Sequence, residues 1–292
     1  MSWMILSAPA ASMCVSVALA LLYVHLYIQE RKDAMRLWAI GWALLALRFV
    51  PQMTAQAGGG TPILQMFETL LWLWGGLLLV AGVQRFWRRT LPAWGLPVAW
   101  GVSAWTLISR WTPLFEPLVS IPPVLLLLVA HIGVALTVLR SDLVRGMGRY
   151  LAGGGLLAWG LYKVYYPFRY LYPEPDALAY LLYMLLGLLV GSGLLLAYLD
   201  YVRRRMNAGE RRLRMLFDNV ADAIYVFDLD GQILDANNMA CEMLGYCRDE
   251  LLSMKVYDVI SPEYVARARE RVGRFHEVDE GYYQSYHRRR DG

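Results

Sequence analysis

The sequence predicts an all-α bundle of seven membrane-spanning helices followed by a small α+β domain. Three observations lead to this fold class. Of the 292 residues, 58% are hydrophobic, and long apolar runs dominate the first two thirds of the chain. Basic residues recur in alternate connections between those runs. After about residue 201 the long apolar runs stop, and short strand, turn and helix patterns replace them.

Seven apolar segments are long enough to be membrane spans, because a helix needs roughly 20 apolar residues to cross about 30 Å of hydrocarbon. The fourth is the shortest and is marked by glycine and proline. The predicted spans are 4–28, 37–56, 63–84, 92–109, 118–139, 150–170 and 179–201. The first has no basic stretch before it and no small-residue cleavage site after it, so we expect a retained span and not a signal peptide.

The loop charges predict the orientation of the bundle. The connections after the first, third, fifth and seventh spans each carry three basic residues, whereas the other connections carry almost none. Short loops rich in Lys and Arg stay in the cytoplasm. We therefore expect the N-terminus outside the cell and the C-terminal domain inside. Since the basic excess follows this topology, it gives no reason to expect nucleic acid as a partner.

Five ionisable side chains stand out within the predicted spans, where such groups are costly to bury and usually face a partner or a cavity. Arg48, Glu68 and Lys163 fall in the outer half, and Arg48 and Glu68 lie at similar depths, so we expect these two to pair. The three form either a structural ion pair with snorkelling cations or a polar pocket for a small ligand. His25 and His131 fall in the inner half and are candidate haem ligands, although hydrogen-bonded histidines packed between helices give the same pattern.

The junction between the two parts is predicted to be a signalling helix at 202–219. Apolar residues recur through it every seven positions, which is typical of a coiled-coil seam. The seam consists of Leu199, Met206, Leu213 and Val220. Gly187 and Gly191 form a GxxxG pattern in the last span that would let two helices approach closely. We expect a homodimer through span seven and this linker; the alternative is an amphipathic helix on the membrane surface.

Residues 213–292 show the patterns of a small mixed domain. The β-forming run AIYVFD at 223–228 and the run QILDA at 232–236 flank Asp230-Gly231, which predicts a hairpin. Short helices are expected from about Met239 to Leu244 and from Arg248 onward, the first ended by Gly245. A longer helix over 262–275 begins with proline. The run YYQSYHRRR is predicted to form a strand, and Asp291-Gly292 after it is predicted to form the next hairpin turn.

Together these motifs resemble a PAS domain. The matching residues are Asp228, Asp230, Gly231, Asn237, Gly245, Tyr246, Asp249, Glu250, Leu251, Ser261, Pro262 and Glu263. The resemblance implies a five-stranded antiparallel sheet with short helices on one face, and a sensing or dimerising role. The family fold has two more strands after the last turn, so we expect a partial domain that is marginally stable by itself.

The residues indicate no cofactor in the PAS portion, and for the whole chain the cofactor stays unknown. PAS haem sensors carry a histidine on the helix after Ser-Pro-Glu, where this chain has only arginine and glutamate, and the flavin-binding Asn-Cys-Arg-Phe motif is missing. Cys14, Cys241 and Cys247 are too few for a disulfide framework. No metal-ligand spacing and no nucleophile–base set occurs, so we expect no catalytic residue in this chain.

Seven spans followed by a PAS domain resemble the N-terminal half of bacterial membrane sensors. The resemblance implies a multi-pass protein of the bacterial inner membrane that relays a stimulus to an output domain, by expectation a histidine kinase. A cyclic-di-GMP cyclase or phosphodiesterase is the first alternative. A membrane scaffold that dimerises a PAS interaction module is the second.

Overall fold

The computed structural model describes residues 2–55, 60–90, 92–112, 114, 116–144, 146–168, 176–273 and 284–292. The chain divides into two compact units, Met1–Val202 and Arg203–Gly292. The first unit is helical, and the second combines short helices with a small sheet. Each unit is described separately below.

Eight α-helices are described up to the end of the long junction helix. They are α1 (Ser2–Glu30), α2 (Asp33–Leu47), α3 (Phe49–Thr54), α4 (Pro62–Phe86), α5 (Gly95–Ser109), α6 (Glu116–Arg140), α7 (Met147–Tyr162) and α8 (Asp176–Asp218). Five segments are long and apolar enough to cross a membrane, at predicted spans one, two, three, five and seven. The helices at predicted spans four and six, α5 and α7, have 15 and 16 residues and fall short of that length. Seven spans therefore stay a prediction, of which five are supported.

Two predicted spans are broken by proline. In the second span, α2 ends at Leu47, which is four residues before Pro51, and α3 begins at Phe49, which is two residues before it. Proline lacks an N–H group, and its ring clashes with the carbonyl four residues earlier. In the sixth span, α7 gives way at Lys163 to a 3₁₀ helix, Lys163–Phe168, which contains Pro167 four residues further on. The same clash accounts for both breaks.

Aromatic side chains and glycines hold the helical unit together. Trp42 of α2 stacks on Trp159 of α7 with ring centroids 5.4 Å apart, and both are fully buried. Gly193 of α8 lies so close to α7 that a Cβ there would come within 2.7 Å of the Leu151 carbonyl carbon. Bulky rings therefore fill the centre, while glycines allow the helix backbones to approach.

The GxxxG glycines of α8 face helices of the same chain. A Cβ on Gly187 would meet Trp42 at 3.4 Å, and one on Gly191 would meet Leu19 at 2.5 Å. The Tyr23 hydroxyl also donates to the Gly191 carbonyl at 2.7 Å. In the single chain, this glycine face therefore packs against α1 and α2. The homodimer itself remains a prediction.

The second unit begins with the C-terminal part of α8 and contains the predicted hairpin. Strands β1 (Tyr225–Phe227) and β2 (Ile233–Ala236) pair antiparallel, with Val226 opposite Asp235. Gly231 in the turn has φ +79°, which a residue with a side chain rarely adopts. The hairpin prediction is confirmed.

Short helices follow the hairpin at the predicted positions. They are α9 (Asn238–Leu244), α10 (Arg248–Leu252), a 3₁₀ helix (Val256–Val259) and α11 (Pro262–Gly273). Gly245 ends α9 with φ +76°, as a left-handed C-cap does. The buried residues of these helices and of β2 form the small core of the unit, with Ala236, Ala240, Leu244, Leu251 and Val259 at its centre.

The last predicted strand is only partly within the described residues, since 282 and 283 lie outside them. In the described part, His287 forms an isolated antiparallel bridge with Ile260. The Ser261 N–H donates to the Tyr286 carbonyl at 2.8 Å, and the Arg288 N–H donates to Val259 at 2.9 Å. Over the described residues the sheet has two strands, fewer than the five that the resemblance implied.

Candidate functional site

A small cavity in the helical unit is lined by both Arg48 and Lys163. Its volume is about 40 Å³. The other residues around it are Gln52, Trp72, Trp159, Tyr162, Tyr165, Ala179, Tyr180 and Tyr183. The two cations sit at the two proline-induced helix breaks, so the same local feature brings each of them to the cavity.

Lys163 is buried beside neutral groups. Its side chain is 3% exposed, and Nζ lies 3.5 Å from His131 Nε2 and 3.4 Å from the Trp159 carbonyl oxygen. Nζ also lies 4.4 Å from the centroid of the Trp159 ring. Within the described part of the chain, no carboxylate lies within 4 Å of this ammonium group. Two long hydrogen bonds and a ring face are weak partners for a buried ammonium.

Arg48 is also buried, with 5% of its surface exposed. Its guanidinium carbon lies 4.5 Å from the Tyr183 ring centroid and 4.6 Å from that of Phe49, which are cation–π distances. One turn further on, Gln52 Nε2 donates to the Tyr180 hydroxyl at 2.6 Å. The aromatic rings of α3 and α8 therefore hold the guanidinium at the cavity wall.

Glu68 does not join this site. It is half-buried on α4, and Trp72, one turn further along the same helix, is the α4 residue that lines the cavity. The ion pair between Arg48 and Glu68 stays a prediction. Equal depth in the membrane did not place both side chains at the cavity. The structure thus unites Arg48 and Lys163 of the three predicted site residues.

The two candidate haem ligands lie in different environments. His25 is exposed on α1 and contacts Gln29 at 3.1 Å, whereas His131 is fully buried. His25 follows buried Tyr23 by two residues, a rotation of about 200° that turns it to the opposite face of the helix. His131 Nδ1 contacts the Leu127 carbonyl at 2.8 Å, and Nε2 faces Lys163. This geometry does not support a haem iron between the two histidines.

The sequence interpretation missed several residues of the cavity. Gln52, Tyr180 and Tyr183 were not singled out, because polar and aromatic residues are common in spans. A signal was nevertheless present, since a basic residue stands three or four positions before a proline at Arg48 and Lys163. Irregular backbone at membrane depth is tolerated where it is buried in protein or lines a cavity. A basic residue just before an intramembrane proline thus indicates such a place.

The PAS motif residues organise the hairpin of the second unit. Asp228 Oδ1 accepts hydrogen bonds from the backbone N–H groups of Asp230 at 3.0 Å and Gln232 at 2.8 Å. Gly231 packs against Tyr257, whose ring a Cβ at this position would meet at 2.5 Å. The Asp-x-Asp-Gly sequence therefore has a structural role in closing the turn.

Asn237 is the most connected residue of the motif, and it is fully buried. Its Oδ1 accepts from the N–H of Ala240, which caps α9, and from the N–H of Ile224, both at 2.9 Å. Its Nδ2 donates to the carbonyls of Phe217 at 3.0 Å and Asp222 at 2.9 Å. One amide thus ties the end of α8 and the start of the hairpin to α9.

The three cysteines are free thiols. Burial raises the pKa of the Cys241 thiol, and a raised pKa makes a thiol less reactive. Within the described residues, no group of three or more His, Cys, Asp or Glu side chains could hold a metal ion.

Comparison with known proteins finds a family match within the second unit. Residues 211–278 match the PAS domain family. A 66-residue stretch is 38% identical to the methyl sulfide methyltransferase-associated sensor of Methanosarcina acetivorans; it covers 22% of this chain and 7% of that relative. No solved structure matches. The chain therefore contains a PAS domain together with helices long and apolar enough to span a membrane, which supports a PAS-containing sensor.

Proposed function

We propose that this chain is the receiving part of a membrane-bound signal-transduction protein. The observation that carries the proposal is α8, one helix of 43 residues. Its N-terminal part bears Tyr180 and Tyr183, which line the cavity, and its last turns bear Arg214 and Phe217, which bond to PAS residues. A change at the cavity that rotates or tilts α8 would reach the PAS domain along the same helix.

The proposed topology has seven spans, with the N-terminus outside and the PAS domain in the cytoplasm of a bacterium, at the inner membrane. The basic residues of alternate loops support it, since Lys and Arg favour the cytoplasmic side. In that orientation the cavity with Arg48 and Lys163 lies in the outer half of the bilayer. The stimulus would therefore be a ligand that enters from outside.

The proposed assembly is a parallel homodimer through the junction part of α8. Leu199, Met206 and Leu213 of α8 are each at least 50% exposed in the single chain, although all three are apolar, and Val220 lies just after the helix ends at Asp218. They repeat every seven residues, which keeps them on one side of a coiled coil. An apolar seam left uncovered in one copy favours a second copy as its partner.

The proposed output is a histidine kinase elsewhere in the full-length protein. The relative's name as a sensor supports a sensing role and does not distinguish this output from a cyclic-di-GMP cyclase or phosphodiesterase. The other class of function is a scaffold whose spans only anchor and dimerise the PAS domain. Buried Arg48 and Lys163 favour sensing, since an anchor gains nothing from buried cations.

The relay is tested by insertions that shift the heptad register of the junction helix. Four residues inserted after Gly209 in the full-length protein shift the seam by about half a heptad, whereas seven inserted residues restore it. We expect the four-residue insertion to abolish regulated output and the seven-residue insertion to retain it. The readout is kinase autophosphorylation or cyclic-di-GMP level in membranes. Unchanged output after the four-residue insertion would contradict the rigid relay and favour the scaffold.

A further inference from the structure

We propose that a groove along α4 and α6 binds one anionic phospholipid, with its acyl chains in an apolar cavity and its phosphate on arginines at the ends of the two helices. This lipid site lies beyond the proposed function. It rests on the proposed placement of α4 and α6 in the membrane, and it is independent of the stimulus and of the output.

An apolar cavity of about 400 Å³ is bounded by α4, α5 and α6. Its volume is within the roughly 300–1,000 Å³ of typical ligand sites. Leu96 and Val129 line it and are 59% and 58% exposed, so the cavity opens on the surface of the helical unit. Both α4 and α6 contain segments long and apolar enough to cross a membrane. In a bilayer, such an opening faces hydrocarbon chains and not water.

A second cavity adjoins the first at Gly133, which lines both. On α4 the apolar cavity is lined by residues between 74 and 84, and the second cavity follows at 87–89. On α6 the apolar lining ends at 133, and the second cavity continues to 140. The two cavities therefore follow one another along one groove. We call the second the basic cavity, because its lining includes the exposed Arg88, Arg89 and Arg140.

The charge of the basic cavity favours an anionic headgroup. Among the described residues, no carboxylate lies within 4 Å of its three guanidinium groups. Asp33 lines a neighbouring cavity and pairs with Arg85 at 3.5 Å, and the exposed Asp142 lies outside the lining. Three full positive charges outweigh the partial negative charge of roughly half a unit at each of the two helix ends. Basic pockets of this kind between membrane helices bind phosphate headgroups.

Gln84 stands on α4 where the two cavities meet. It is half-buried in the lining of the apolar cavity and precedes Arg88 by four residues, which is about 6 Å along the helix. Its side-chain amide offers two N–H donors. A phospholipid carries ester carbonyls between its chains and its phosphate. The order along α4 of apolar residues, an amide and then arginines therefore matches the order of chain, ester and phosphate in the lipid.

The continuity of the groove distinguishes this site from the general charge bias of membrane proteins. Basic residues are common at the cytoplasmic ends of spans, so three arginines alone would not indicate a bound lipid. Here the arginines border a cavity that is continuous, through Gly133, with one of acyl-chain character. A soluble phosphate compound would fill only the basic cavity, and a neutral lipid would leave the arginines without a counter-charge.

The test measures lipid binding by the purified 292-residue chain in micelles of a neutral detergent. Dioleoyl phosphatidylglycerol, dioleoyl phosphatidylcholine and glycerol 3-phosphate are titrated separately. Native mass spectrometry counts the retained lipids, and circular dichroism gives the thermal midpoint. We expect one phosphatidylglycerol to bind saturably, about tenfold or more tightly than phosphatidylcholine, and to raise the midpoint. Glycerol 3-phosphate has no acyl chains and should leave the midpoint unchanged.

Variants of the two cavities make the result specific. The double variant Arg89→Gln with Arg140→Gln is expected to weaken phosphatidylglycerol binding about tenfold or more. Gly133→Phe fills the junction of the two cavities. It should fold, since a Cβ at this position meets nothing within 4 Å, but should retain little lipid. Arg204→Gln replaces an exposed arginine of α8 and is the control, with binding unchanged.

Three results would overturn the lipid site. Equal binding of the two phospholipids would exclude selection of an anionic headgroup. A midpoint rise with glycerol 3-phosphate equal to that with phosphatidylglycerol would indicate a site for free phosphate compounds. Binding in the double variant and in Gly133→Phe equal to that in Arg204→Gln would place the bound lipid elsewhere on the chain.

The outcome is separable from that of the proposed function. Selective phosphatidylglycerol binding together with unresponsive output in the full-length protein would refute the sensor function and leave the lipid site standing. Regulated output in a protein that does not prefer phosphatidylglycerol would refute the lipid site alone. A chain that stays in solution without detergent or lipid would refute the membrane placement, and the lipid site with it.

Discussion

Arg214 and Asp235 join the end of α8 to the second strand of the PAS hairpin. Arg214 Nη1 donates to both carboxylate oxygens of Asp235, at 3.0 and 2.8 Å, while its Nε donates to Asp218 at 2.8 Å. Arg248 donates to the same carboxylate at 2.7 Å. Burial acts to raise the pKa of the Asp235 carboxyl, but the hydrogen bonds from Arg248 and Arg214 outweigh burial and hold this pKa below its ordinary value. The carboxyl therefore stays ionised at neutral pH.

Replacing Arg214 tests whether this ion pair fixes α8 to the hairpin. Arg214→Met is expected to lower the free energy of local opening of β1 and β2 by about 1 kcal/mol, since partly exposed ion pairs contribute at most about that much. The measurement is hydrogen–deuterium exchange of the β2 amides in the intact chain. Arg212→Met, an exposed neighbour on the same helix, is the control. Equal exchange in the two variants would show that the ion pair contributes nothing.

The burial of His287 predicts that the PAS unit is sensitive to mild acid. Burial lowers the pKa of His287 below its ordinary value of 6.5, and its Nε2 contacts the Tyr225 hydroxyl. The unfolded chain therefore binds the proton more readily than the folded chain. The stability contribution of the neutral ring is complete above the ordinary pKa and is lost as the pH falls through the lower folded pKa.

We therefore expect the bridge between His287 and Ile260 to open more readily at pH 5.5 than at pH 7.5. The readout is exchange of the Ser261 and Arg288 amides, after correction for the intrinsic rate at each pH. His287→Gln retains a hydrogen-bonding group and removes the titration, so it should flatten the difference between the two pH values. A pH dependence that persists in His287→Gln would assign the effect to another group.

The close approach of α7 and α8 predicts a steric effect at Gly193. A Cβ there would overlap the backbone of Leu151 and Ala152, and helix backbone cannot yield as a side-chain end does. Gly193→Ala is expected to destabilise the helical unit by roughly 1–3 kcal/mol, as overpacking does. Gly133→Ala, where a Cβ meets nothing within 4 Å, is the matched control and should be neutral or stabilising. Equal thermal midpoints in the two variants would contradict the close contact.

Local features of the fold were predictable from the sequence because they depend on a few neighbouring residues. The hairpin at Asp230-Gly231, the helix end at Gly245 and the helix start at Pro262 follow from backbone preferences of glycine and proline, and all three are confirmed. The apolar runs likewise indicated long helices. The breaks at Pro51 and Pro167 follow from the same preferences but were not predicted, since apolar content alone was used to define the spans.

The candidate site was only partly predictable, because the rotation of each helix about its own axis decides which side chains meet. Depth along the membrane suggested one site for Arg48, Glu68 and Lys163, but only Arg48 and Lys163 line the cavity. Depth also suggested a His25–His131 pair, but His25 is exposed whereas His131 is buried. Gly187 and Gly191 were correctly marked as a close-packing face, but the sequence could not distinguish another chain from α1 and α2.

By itself, the sequence determined the chemistry of each segment: apolar helices, basic loops, a PAS hairpin and ionisable residues at membrane depth, among them Arg48, Glu68 and Lys163. Only the tertiary structure decided that Arg48 and Lys163 line one cavity while Glu68 does not. The physical reason is that hydrophobicity and backbone preference act over a few residues, whereas a cavity forms where non-adjacent helices pack. In this chain two prolines end regular helix at the two cations, and packing against α8 brings both to the same cavity.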